Sequence, residues 1–175
     1  MTVSISQRRN EMAQILTRFA ERLRDNYHFA EMIGPQDEGF SEFNTTSWRE
    51  LQDEGYLKPQ HTFGSAQYSL TAGGWLKALK LSGELESPNV RSRGIVLARA
   101  LKALVKGRDV HFDQIADERD LAPQTGLPGG WIYNALSCNL LNDLFPNDNM
   151  TVRYDYRGKC FRVPPTFGMD WREPL

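Results

Sequence analysis

The chain has 175 residues, a net charge of −1, 40% hydrophobic residues and 25% charged residues, which excludes a largely disordered chain and describes one ordinary globular domain or two small ones. No apolar run approaches the ~20 residues of a membrane span. The N-terminal stretch turns charged at Gln7-Arg8-Arg9 and the two cysteines, Cys138 and Cys160, lack CxxC spacing, so the expectation is a cytoplasmic protein with free thiols.

The first element starts at Ser4, where Ser4-Ile5-Ser6-Gln7 has the form of a capping box. Met12, Ile15, Leu16, Phe19 and Leu23 recur at helical spacing, and Gly34-Pro35 is read as the helix end. Arg8, Arg18, Glu21, Arg22 and Asp25 on the other side read as a solvated face. Thr45 or Thr46 is expected to cap a short helix holding Trp48 and Leu51, with Gly55 at its C′ position. Tyr56 to Lys58 and Gln67 to Leu70 read as two strands of a hairpin. Thr71 is expected to cap a helix with Trp75, Leu76 and Leu79 that stops near Gly83. Residues 84–89 look like a polar linker in which Pro88 breaks any helix.

The next helix carries Leu97, Ala98, Leu101, Leu104 and Val105 on one face, with Arg91, Arg93, Arg99, Lys102 and Lys106 around it. Phe112, Ile115 and Ala116 are read as a short helix, with His111 in a capping or surface role, and residues 123–127 as a turn. Pro128 suits the first position of a helix in which Ile132, Ala135, Leu136 and Leu140 face inward. Residues 151–156 alternate as a strand does, Arg157-Gly158 turns, and residues 159–163 return. A tail with Phe167 and Trp171 follows.

The order helix, short helix, hairpin thus occurs twice. Leu51-Gln52-Asp53-Glu54-Gly55-Tyr56-Leu57, a hairpin, and Tyr68-Ser69-Leu70-Thr71-Ala72-Gly73-Gly74 resemble the winged-helix superfamily over roughly residues 45–80. Phe112 to Ala116, Thr125 to Pro128 and Trp131 to Leu136 resemble a helix-turn-helix, and residues 150–163 resemble its wing. The loop before Pro128 departs from that pattern in being richer in Pro and Gly. The resemblance implies an α+β fold, mostly helical, of two tandem winged-helix-like units with two small antiparallel β-hairpins. The units are bounded at 1–84 and 91–165, with a linker at 85–90 and a tail at 166–175.

Such proteins read double-stranded DNA with the outward side chains of the second helix and gain affinity from phosphate contacts. Charge favours the second half for that role. Residues 1–87 hold 9 Lys and Arg against 12 Asp and Glu, and residues 88–175 hold 12 against 10. In the first unit the outward positions Ser47, Arg49, Glu50, Gln52 and Asp53 include carboxylates that repel phosphate. In the second unit they are Gly129, Gly130, Tyr133, Asn134 and Ser137, of which Asn134 suits adenine and Tyr133 suits phosphate. Arg153, Arg157, Lys159 and Arg162 make the hairpin basic, with Tyr154 and Tyr156 interleaved and Asp155 as the one acid among them. Arg99 and Lys102 on the preceding helix are candidates to extend the same surface.

Motifs for catalysis are missing. His28, His61 and His111 are scattered without metal-ligand spacing. Gly126 to Gly130 lacks the Lys-Ser/Thr of a phosphate-binding loop, Ser65 and Ser69 lack a nucleophile-elbow context, and Cys138 lies in an apolar helix. No enzyme activity, metal or small-molecule cofactor is therefore expected. Two functions stay open. One is a DNA-binding regulator or recruiter. The other is a protein-interaction adaptor, like the tandem winged-helix subunits that bind kleisin chains, using Phe167 and Trp171 as anchors unless the tail folds back on its own core. A homodimer through the long first helix or the helix at 71–82 is also open.

Overall fold

The computed structural model describes residues 4–23, 32–60, 64–108 and 111–174. The chain divides into two compact units, Met1–Glu84 and Leu85–Leu175, and the fold is α+β, mostly helical, with one two-stranded and one three-stranded antiparallel sheet. No helix among the described residues is long and apolar enough to cross a membrane.

In the first unit, α1 (Ile5–Leu23) presents its predicted stripe of Met12, Ile15, Leu16, Phe19 and Leu23 to the core, and the Ser4 hydroxyl accepts from the Gln7 amide. The helix does not run to Gly34. Ile33 is in extended backbone and exchanges two hydrogen bonds with Tyr68. Asp25 and His28 lie outside the described residues. The supposed solvated face of α1 is partly engaged, because Arg8 pairs with Glu50 and Arg18 pairs with Glu42 beneath the Phe43 ring.

Helix α2 (Thr45–Asp53) is capped by Asn44, whose side chain accepts from the Thr46 amide, and not by either threonine. Gly55 then takes the left-handed conformation expected of a C′ glycine. Strands β1 (Leu57–Gln60) and β2 (Gln67–Leu70) pair with Leu57 opposite Leu70. Thr71 caps α3 (Ala72–Ser82) as expected, and Gly83 ends it. The aromatic core of the unit joins Phe19, Phe40, Phe43 and Trp48, with Tyr68 stacked on Trp48 at 5.3 Å.

The second unit starts with α4 (Pro88–Val105), capped by Ser87. Pro88 therefore begins a helix instead of breaking one, since a proline in the first turn forfeits no hydrogen bond. Residues 112–116 are not a helix. Gln114–Ala116 form strand β3, and Phe112 and Ile115 are exposed. The helix that follows β3 is α5 (Glu118–Thr125), capped by Asp117. Pro123 lies inside α5, and the turn reduces to residues 126–128. Then come α6 (Gly129–Ser137), α7 (Leu140–Leu144), β4 (Arg153–Asp155) and β5 (Cys160–Val163). The strand order is β3-β5-β4, so the predicted second hairpin gains a third strand. The tail folds back on this unit. Phe167 and Trp171 are buried, and the Trp171 ring meets Phe145 edge-on at 5.6 Å.

Candidate nucleic-acid interface

Alternation along β4 and β5 sorts the hairpin's side chains. Phe161 and Val163 point inward and are buried, whereas Arg153, Asp155 and Arg162 lie on the other face. Arg153 stands directly opposite Arg162, a like-charge pairing that destabilises a sheet unless another group intervenes. Asp155 is that group. One of its oxygens accepts from Arg162 Nε at 2.8 Å and Nη2 at 2.7 Å. The other accepts from the Arg157 amide at 3.0 Å and the Gly158 amide at 3.2 Å.

One carboxylate therefore neutralises Arg162 and fixes the turn. A side chain at Gly158 would crowd it, since a Cβ there would lie 3.1 Å from both Asp155 Oδ2 and Cys160 Sγ. Lys159 closes the turn at φ 50°, in the left-handed region.

The Arg162 hydrogen bond, and then the Gly158 and Arg157 amides, hold the Asp155 carboxyl below its ordinary value of 3.8. A depressed acid contributes order above its unfolded pKa and loses it as the pH falls through the folded one. The turn is thus expected to stay ordered through the neutral range and to loosen only below the ordinary aspartate range. Asp155→Ala is expected to speed amide exchange at Arg157 and Gly158 at neutral pH while amides in α4 stay protected. Unchanged exchange at those two amides would contradict the pinning role.

The candidate residues separate into two groups. Arg153, Arg157 and Lys159 are exposed and enter no ion pair among the described residues. The others are committed elsewhere. Arg162 belongs to Asp155. Arg99 forms a two-point pair with Glu173, which raises its own pKa and lowers that of Glu173. Lys102 donates to the Trp171 carbonyl at 2.7 Å, with its ammonium over the Trp171 ring. Arg93 lies over the Trp131 ring. The basic face expected of α4 is thus largely spent on holding the unit's own tail and core, and only Arg91 and Lys106 of those five cations are exposed without such a contact.

Helix α6 is corrected in one important place. Asn134 is only 6% exposed, because it lies on the same side as Trp131, Ile132 and Ala135. It cannot present its amide to a base edge. Tyr133 is half-buried, edge-on to Phe161 at 5.4 Å. Ser137 is exposed, and Gly129 and Gly130 are half-buried. Pro128 occupies the cap position with no side-chain hydrogen bond to the first turn, so that turn's amides lack a side-chain acceptor.

In the first unit the predicted outward set shrinks in the same way. Ser47 is fully buried and donates to Glu11, and Glu50 is bound to Arg8. What remains on α2 is Arg49, Gln52 and Asp53, a nearly neutral face.

Two features escaped the sequence. The first is a run of rings from α6 to the hairpin tip. Tyr133 meets Phe161, Phe161 meets Tyr154 at 5.1 Å, and Tyr154 meets Tyr156 at 5.0 Å. Tyr156 ends the run at 85% exposure. The two-residue spacing of Tyr154 and Tyr156 was a visible signal of proximity.

The second is a cleft of about 340 Å³ lined by Leu104, Ile115, Asp117, Asp120, Leu121, Pro123 and Gln124. Reading Phe112, Ile115 and Ala116 as a short helix concealed it. Among the described residues no cluster of His, Cys, Asp and Glu could hold a metal ion. His111 is exposed in the turn before β3 and caps no helix, and His61 lies outside the described residues.

Comparison with known proteins finds no matching family model, no similar curated protein and no similar solved structure.

Proposed function

We propose that the second unit is a non-enzymatic DNA-binding module, a regulator or recruiter whose affinity comes mainly from phosphate contacts. The observation that carries this is the hairpin β4–β5. Its turn is pinned by Asp155 and carries Arg157 and Lys159, with Arg153 on the adjoining strand β4, and no competing acid is attached to these three. Cations on a fixed turn lose little conformational entropy when they meet phosphate. The order of α5, α6 and the short α7 before the hairpin over residues 118–163, close to what the winged-helix resemblance implies, supports the same reading.

With Asn134 buried, the side-chain base reader nominated on α6 is gone. The expected mode is sequence-tolerant binding to double-stranded DNA. Cys138 and Cys160, neither of them in a disulfide, favour a reducing compartment such as the cytoplasm.

The test is fluorescence anisotropy with a labelled random-sequence duplex at low salt, comparing the protein with the Arg153→Ala/Arg157→Ala/Lys159→Ala variant. All three side chains are exposed, so the variant retains the fold. A loss of tenfold or more in affinity is expected, and equal binding by the variant would reject the proposal.

One observation favours the adaptor reading instead. Phe112 is 66% exposed and Ile115 is 58% exposed, and Ile115 lines the cleft beside α5. The two anchors first nominated for a partner, Phe167 and Trp171, serve the unit's own core.

A further inference from the structure

We propose that Tyr156 is a stacking platform for an unpaired base, so that the preferred ligand is DNA with a single-stranded end or gap. This deepens the DNA-binding reading and rests on it.

Three observations converge on the ring. Tyr156 is 85% exposed, the most exposed of the large hydrophobic side chains described. Its position is nonetheless fixed. The ring meets Tyr154 in a T-shaped contact, Tyr154 is itself held by Phe161, and the backbone just beyond Tyr156 is tied to Asp155 through the Arg157 and Gly158 amides. The residues that follow it in the turn include the exposed cations Arg157 and Lys159.

A rigid, solvent-facing ring with cations beside it suits a nucleotide. The ring takes the face of the base, and the cations take the phosphates on either side. The acid in the turn does not oppose this, because Asp155 is already neutralised by Arg162.

The same geometry selects the form of DNA. Inside a duplex both faces of every base are covered by neighbouring pairs, so a tyrosine ring gains a partner only by unstacking a step, which is costly. An unpaired base offers its face without that cost. Stacking on an aromatic side chain then raises affinity by about five- to a hundredfold per base.

The experiment compares three fluorescein-labelled DNAs of equal strand length: a blunt duplex, a duplex with a short unpaired end, and a single strand. Each is titrated with the protein, with Tyr156→Ala and with Tyr156→Phe. A 2-aminopurine at the unpaired position reports stacking through quenching. The expected result is five- to a hundredfold tighter binding of the DNA with the unpaired end than of the blunt duplex, with 2-aminopurine quenched. Tyr156→Phe should keep that preference, and Tyr156→Ala should lose it while binding the blunt duplex as before. Because the ring is exposed, neither substitution endangers the fold.

Blunt-duplex binding with no preference, or a preference that survives Tyr156→Ala, would overturn this inference and leave the DNA-binding proposal standing. No binding to any of the three DNAs would overturn both.

Discussion

Trp171→Ala is expected to destabilise the second unit by about 3 kcal/mol. Replacing a buried tryptophan by alanine ordinarily costs about 3–5 kcal/mol through lost burial and the cavity left behind. The Trp171 ring is 5% exposed, packed edge-on against Phe145, with the Lys102 ammonium 5.7 Å from its centroid. One term acts in the other direction. The indole Nε1 is buried with no hydrogen-bond partner among the described residues, a burden of about 1–3 kcal/mol that alanine removes. The lower end of the range is therefore expected.

Trp171→Phe keeps a ring and deletes the unsatisfied N–H, so it should stay within about 1.5 kcal/mol of the parent. Urea denaturation of the two variants checks both values. A Trp171→Ala protein as stable as the parent would show that the tail does not belong to this core, and would return Trp171 to the role of an exposed anchor.

Adjacent glycines at the start of α3 are expected to respond with opposite sign. In a helix, alanine is favoured over glycine by about 1 kcal/mol. At Gly73 the nearest neighbour of an added Cβ is Thr71 Oγ1 at 3.8 Å, an ordinary contact, so Gly73→Ala should stabilise by up to about 1 kcal/mol. At Gly74 the Cβ would lie 2.2 Å from the Tyr56 carbonyl oxygen and 2.8 Å from Leu70 Cδ1.

The first of those obstacles is backbone and cannot rotate away. That carbonyl also accepts from the Thr71 amide at 3.1 Å and the Thr71 hydroxyl at 3.0 Å, so pushing it aside disrupts the α3 cap as well. Overpacking of this kind costs about 1–3 kcal/mol, enough to cancel the helix preference and leave Gly74→Ala net destabilising. Thermal or urea unfolding with hydrogen exchange read in the first unit separates the two. A gain in stability from both would mean that α3 does not approach Tyr56 so closely.

Helices with long apolar stripes were legible in the sequence, and so were capping signals such as Thr71 with Gly83. What failed were short or ambiguous signals. Phe112, Ile115 and Ala116 have helical spacing, yet three residues of β3 with only Ala116 buried produce the same pattern. Pro88 was read as a helix breaker and Pro123 as the start of a turn. One directly follows the capping Ser87, where a missing amide is harmless, and the other lies near the end of the short helix α5.

The candidate site was legible as a basic hairpin, but not as a set of available charges. Whether a cation is free depends on long-range partners, and Arg99 finds Glu173 while Lys102 finds the Trp171 carbonyl, far along the chain. Asn134 was read among the outward positions of the helix, whereas its place on α6 beside Trp131 and Ala135 buries it.

The central claim is that Arg153, Arg157 and Lys159 meet DNA phosphates, and the salt dependence of duplex binding tests it most directly. Each neutralised phosphate contributes about −0.9 to the slope of log K against log salt concentration, so engagement of these three exposed cations predicts a slope of about −2.7. Titrations of the parent protein from low to near-physiological salt should give that slope, and it should fall towards zero in the triple alanine variant. Absence of binding at the lowest salt, or a slope unchanged in the variant, would contradict the account and make the cleft beside Ile115, as a protein-docking surface, the next object of study.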